Sequence, residues 1–350
     1  MDREAVMVAL DHVVEMLGGA LTLGALAVAD RTGLLQSMAG RTGATDAELA
    51  ASTGLEERYV REILATLTAG QVVSHDPAAG TFALTEEYAA VLADPTSPYS
   101  MAGWLDMLPA VMEHIPEVAE AAQSGGGVSF EAFGPDLVRG IDRSNSPSTR
   151  ILLTRRWLGA VDGLTDRLVT GINIADVGCG SGTAVLTMGA AYPESTVVGY
   201  DVHPDSIARA RAKAADAGLD NVSFEVVGAN GIPEGDPLDL VTCLDVVHDL
   251  AEPLAVLRSI RRRLTDDGLF FMMEPRMAHD VADNIGPRPA MLYGISLLHC
   301  LTQSLAQGGA GLGAGWGPRR AEALVREAGF GSFEELPVDN PFSAFYAVRT

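Results

Sequence analysis

The 350-residue chain holds a single lysine, Lys213, so arginine supplies nearly all of its 24 basic side chains. A Schiff-base or other lysine-centred mechanism is thereby all but excluded. Cysteine is almost as scarce. Cys179, Cys243 and Cys300 stand far apart and form no C-x-x-C, which points away from a disulfide framework or a thiolate metal site and leaves them as small buried residues. Long apolar runs are missing too: Ala20–Ala29 is stopped by Asp30-Arg31-Thr32-Gly33, short of a membrane span. The start, Met1-Asp2-Arg3-Glu4, carries both signs of charge and no cleavable signal follows. The expectation is a cytoplasmic protein with no membrane partner. With 46 acidic residues and a formal net charge of -22, nucleic acid is not an expected partner, because phosphate binding draws its affinity from Lys and Arg.

What the chain does have is one organising stretch. Ile174-Ala175-Asp176-Val177 reads as an apolar strand that runs into Gly178, Gly180 and Gly182 and then into an apolar helical stretch, Ala184–Ala191. Glycine at such a turn opens backbone angles closed to other residues and lets a ligand approach, while the helix behind it presents free N–H groups. The spacing is G-x-G-x-G rather than the dinucleotide fingerprint G-x-G-x-x-G. A second strand, Thr196–Tyr200, ends at Asp201, where a carboxylate is placed to accept hydrogen bonds from ribose hydroxyls. The two features together predict a nucleoside cofactor.

Asp176 to Gly182 with Asp201 resembles the cofactor site of class I S-adenosylmethionine-dependent methyltransferases. The resemblance implies S-adenosyl-L-methionine as cofactor, S-adenosyl-L-homocysteine as product, and a doubly wound, seven-stranded, mostly parallel α/β sheet. It places adenine near Val202 and the loop Gly228-Ala229-Asn230. Many relatives carry aspartate in that loop; Ala229 stands there in this chain, and the Asn230 side-chain carbonyl is the alternative acceptor. Asp245 falls at the same end of the sheet. In the winged-helix O-methyltransferases a His-Asp pair after the fourth strand supplies the general base. His248-Asp249 matches it, and Glu274 matches the carboxylate that orients the ring.

The rest of the chain agrees with that reading. Alternating strands and helices from Gly171 onward predict a parallel sheet wound on both faces, closed by a hairpin over Phe333–Val338 and Pro341–Val348. Residues 4–36 read as helical. Thr45 is the expected N-cap of a helix-turn-helix that turns at Thr53-Gly54 and continues from Leu55 to Ala69, and Val72–Leu84 is the expected hairpin, so the unit resembles a winged helix. Arg41–Asp94 carries nine acidic residues against three arginines, a balance that repels a duplex. The resemblance instead implies a homodimer through this unit. The domain boundaries read as 1–95 for dimerisation, 96–170 for a helical linker over the acceptor pocket, and 171–350 for catalysis.

Helices are expected around Met101–Met112 and Arg150–Val169, with a break at Gly125-Gly126-Gly127. Trp104, Met107, Met291 and His299 are the candidate lining of the pocket for a small, hydroxylated methyl acceptor. In the helical stretch Pro289–Leu305, Leu292, Ile295, His299 and Thr302 share a face. An alternative reading pairs His248 with His299 on a metal for C-methylation of an α-keto acid. Further alternatives are a fold relative that binds the cofactor without transferring methyl and a cofactor-sensing regulator. The glycine-rich run from Gly308 to Gly317 reads as a mobile lid.

Overall fold

The structure is a computed structural model describing residues 1–228 and 231–350. The chain divides into two compact units, Met1–Ala110 with Pro135–Ser148 and Val111–Gly134 with Thr149–Thr350.

The first unit opens with α1 (Arg3–Arg31), α2 (Leu34–Met38), α3 (Asp46–Thr53) and α4 (Glu57–Ala69). The Thr45 hydroxyl accepts from the Glu48 amide while Glu48 accepts from the Thr45 amide, so α3 starts on a reciprocal cap. Gly54, at φ 72, ends it in the left-handed region. α4 buries Val60, Ile63, Leu64 and Leu67 on one stripe. The wing is β1 (Ser74–Asp76) antiparallel to β2 (Thr81–Ala83). Val72 and Val73, expected inside the hairpin, precede it: both are buried, which consecutive residues of an exposed two-stranded ribbon are not.

Two expectations need correction. α1 runs for 29 residues and contains an 18-residue window of mean hydropathy 1.6, so by length and composition it does reach a membrane span. Gly18, Gly19 and Gly24 do not interrupt it; each costs a helix only about 1 kcal/mol, and the apolar turns upstream of Ala20 belong to the same element. Further on, the helix expected from Arg150 begins at Gly134 and runs to Leu152, followed by a π turn (Leu153–Trp157), a 3-10 turn (Leu158–Ala160) and a short helix (Leu164–Thr170). Pro135 fits its first turn, where no N–H is needed. The helix is held by charge as much as by apolar contact: Arg139 and Arg143 both reach the buried carboxylate of Asp106, and Arg143 also binds Asp30 of α1.

The second unit is built on a seven-stranded sheet of β3 (Asn173–Val177), β4 (Thr196–Asp201), β5 (Val222–Val226), β6 (Leu238–Leu244), β7 (Leu264–Pro275), β8 (Ser332–Glu335) and β9 (Ser343–Arg349). The order across the sheet is β5-β4-β3-β6-β7-β9-β8, parallel except for β9, which is antiparallel to both neighbours. This is the expected architecture. Both faces are covered: Ile174, Leu240 and Phe271 enter one core, and Ala175, Val241 and Phe270 the other. Strand order reverses between β3 and β6, the place where open α/β sheets bind ligands at the strands' carboxyl ends.

Candidate active site

At that reversal β3 ends in the glycine turn. Gly178, Gly180 and Gly182 all have positive φ, at 74, 53 and 84, yet the three do different work. A Cβ on Gly178 would meet the Val246 side chain at 2.6 Å, and one on Gly182 would meet Phe224 at 2.7 Å. Those two are packing glycines. A Cβ on Gly180 would meet nothing within 4 Å, so its side faces open space and leaves a ligand room to approach. The Gly180 amide donates to Asp201 Oδ2 at 2.8 Å, and the His203 amide donates to Asp201 Oδ1 at 2.9 Å. Each carboxylate oxygen keeps a further lone pair, which suits ribose hydroxyls, so the residues present fit a nucleoside. Val202 beside it is exposed. Ala229 and Asn230 lie outside the described residues.

Asp176 is almost wholly buried, pairs with Thr242 across β3 and β6, and accepts a hydrogen bond from the Thr242 hydroxyl. Burial pushes its carboxyl up to about 7; the Thr242 bond works against the shift and the Asp201 charge adds to it. Lys213 donates to Ser181 on the turn at 2.8 Å, so the one lysine supports the loop.

His248 sits in a 3-10 turn, Val247–Asp249, just past the end of β6. Its Nδ1 is 2.8 Å from Glu274 Oε2, and both residues are buried. Glu274, near the end of β7, is fixed from two further sides: its Oε1 accepts from the Val247 amide at 2.9 Å and its Oε2 from Trp316 Nε1 at 3.0 Å. A carboxylate so held sets the tautomer of the ring it faces. The other nitrogen, Nε2, lies 3.4 Å from Asp249 Oδ1. Burial opposes charge on His248, but Asp249 and Glu274 together outweigh it and hold the pKa well above the ordinary histidine range. Asp245, three residues earlier, has φ 64, a strained value for a residue with a side chain. Burial raises its carboxyl to about 6.

His299 is buried on a π turn, Ser296–Cys300, that interrupts the helical stretch Pro287–Ala306. Its Nε2 has no hydrogen-bond partner, nor has Asp249 Oδ1. The rings of Phe130 and Phe133 contact it edge-on at 5.8 and 5.3 Å, and Phe130 also stacks on His203 at 4.4 Å. A chain of rings therefore links the Asp201 end of the site to the His299 end. Met291 is partly buried on the helix before the π turn. Trp104 and Met107 belong to the first unit, where Met107 packs against Gly140. The glycine-rich run is tied down rather than free: Ala310 donates to the Ala251 carbonyl and Gly313 to that of His248.

Sequence reasoning missed Trp316, Phe130 and Cys300. The Cys300 sulfur, a ligand atom of His248 and one of Asp249 lie within 4.8 Å of one another. No short motif marks such a contact, because the turn of His248 and Asp249 and the turn of Cys300 meet only in the fold. A cavity of about 400 Å³ between β3, β4 and β5, lined by Asn173, Glu225, Asp236 and Arg263 among others, includes neither the glycine turn nor His248.

Comparison with known proteins bears on the domains and the fold. Residues 168–309 match the family profile of a methyltransferase domain, and residues 19–94 that of an Rv2258c-like winged HTH domain. Among curated relatives, the ubiquinone biosynthesis O-methyltransferase of Neisseria meningitidis serogroup A / serotype 4A is 30% identical over 119 residues, 33% of this chain and 48% of that protein. The enzyme of the same name from Paracidovorax citrulli is 30% identical over 116 residues, 33% of this chain and 47% of that one. The chain thus spans about half the length of the curated relatives it matches. Among solved structures, mitomycin 7-O-methyltransferase MmcR aligns over 100% of both chains with TM-score 0.75 and 20% identity. Human N-acetylserotonin methyltransferase in complex with SAM aligns over 100% of this chain and 98% of its own, with TM-score 0.71 and 19% identity. At such identities the likeness is one of fold.

Proposed function

We propose that the protein transfers a methyl group from S-adenosyl-L-methionine to a small hydroxylated metabolite, leaving S-adenosyl-L-homocysteine, with His248 as general base. The observation that carries this reading is the packing of Gly178 on Val246, which brings the turn bearing His248 against the glycine turn. When bound, the cofactor supplies an electrophilic methyl on a sulfonium. Gly180 leaves space for it, Asp201 accepts from its ribose, and Val202, Asp176 and Asp245 complete its surroundings. The acidic wall of Asp245, Asp249 and Glu274 favours a cation there. His248 Nε2 takes the acceptor's hydroxyl proton, Glu274 keeps the opposite nitrogen as the donor, and Asp249 faces the imidazolium that results. The ring must be neutral before it can act.

The reading extends to assembly and location. A second copy covers the apolar surface of α1, giving a homodimer, and the three free cysteines accord with the reducing cytoplasm.

The test uses labelled cofactor and a panel of phenolic and alcoholic acceptors. His248→Asn should keep cofactor affinity and lower turnover by roughly 10²–10⁴-fold, the usual share of a positioned base. Undiminished turnover in that variant would remove His248 from the mechanism.

A further inference from the structure

Around the proposed base, His248, the fold gathers three side chains of the kinds that bind transition metals. His248, Asp249 and Cys300 each offer one ligand atom, and the three atoms lie within 4.8 Å of one another. His248 Nε2 and Asp249 Oδ1 are already 3.4 Å apart. Donors on one tetrahedral ion, at about 2.0–2.3 Å from it, are separated by roughly that distance.

Two features mark the cluster as more than coincident packing. Asp249 Oδ1 is a buried oxygen with no hydrogen-bond donor, and His299 Nε2 is a buried nitrogen with no partner. His299 is the chain neighbour of Cys300, with Nδ1 3.7 Å from its sulfur. The other feature is the support behind His248. Its Nδ1 faces Glu274, which is held by Trp316 and the Val247 amide. A carboxylate behind a histidine is what metal-ligating imidazoles carry, since it fixes the ring and raises its basicity.

We propose that His248 Nε2, Asp249 Oδ1 and Cys300 Sγ form a site for a divalent transition-metal ion of the Zn²⁺ or Co²⁺ kind, and that the ion binds there in competition with the methyl acceptor. Binding of the ion rests on the three side chains alone; the competition rests on the proposed methyl transfer. A thiolate, an imidazole and a carboxylate suit a borderline-soft ion rather than Mg²⁺ or Ca²⁺. On coordination the proton of the Cys300 thiol and any proton on His248 Nε2 pass to solvent while the sulfur and nitrogen lone pairs bind the ion; no electrons move. The ion then holds the lone pair that the acceptor's proton needs, so a metal-loaded site cannot act as base.

The test is an absorbance titration of the full chain with Co²⁺ alone. The parent should take up one equivalent with a near-ultraviolet thiolate-to-cobalt band and visible bands of a tetrahedral ion. Cys300→Ser should lose the near-ultraviolet band and bind at least tenfold more weakly, with an unchanged circular dichroism spectrum as the check on folding. No saturable uptake by the parent, uptake without the thiolate band, or a band that survives Cys300→Ser would each overturn the site. Methyl transfer is not part of the readout, so a protein inactive for another reason still tests the metal, and a metal-free result leaves the transfer reading standing.

Discussion

Asp176 is the residue whose chemistry is most exposed to test by pH. Its folded pKa of about 7 lies above the ordinary 3.8, so between those values the folded chain holds a proton that the unfolded chain has released. Stability from this group is therefore full below about pH 4, declines as pH rises toward 7, and is lost above it. At about 1.4 kcal/mol per pKa unit the loss is on the order of 4 kcal/mol. Asp176→Asn keeps the shape and a partner for Thr242 but cannot ionise. Urea unfolding of parent and variant at pH 5.5 and pH 8 should show the variant gaining on the parent by a few kcal/mol at the higher pH. An equal difference at both would mean that the carboxyl titrates normally. Asp176 and Asp201 could be singled out from sequence because they stand at the ends of readable strands around the glycine turn, and His248 and Glu274 because the resemblance points to those positions. Trp316 and Cys300 could not, since they reach the site from the glycine-rich run before the helix Gly317–Glu327 and from a π turn, neither of which a helical or strand period describes. The strained Asp245 was legible as a residue at the site and illegible as a backbone conformation.

Among the elements, the strands were the easiest to find, because Leu238–Leu244 and its neighbours are near-continuous apolar runs buried on both faces. The helix Gly134–Leu152 was expected only from Arg150 onward; Pro135 sits in its first turn, where a helix tolerates it, and Pro147 is carried within it. α1 is the element with most left to explain. Val6, Met7, Val8, Leu10, Val13, Val14, Met16 and Leu17 are all exposed. Several are adjacent in sequence, Val6 to Val8, Val13 with Val14 and Met16 with Leu17, so they spread around the helix rather than line one narrow stripe. On the homodimer reading, light scattering at micromolar concentration should give twice the chain mass, and Val13→Glu with Leu17→Glu should halve it. A monomeric parent, or a parent recovered only with membranes, would contradict that reading.

For the whole molecule, the fold class followed from the alternation of strands and helices after Gly171 and the seven-stranded sheet from the resemblance, whereas the strand order was not read at all, because local periodicity says nothing about which strands are neighbours. The proposed methyl transfer requires the cofactor to sit at the glycine turn. Calorimetric titration of S-adenosyl-L-methionine into the parent and into Asp201→Ala tests this most directly. The account predicts one site per chain in the parent and a loss of about 1.5–3 kcal/mol in the variant, roughly 10- to 150-fold in Kd, with both proteins folded. No binding to the parent, or equal affinity in the two, would contradict it.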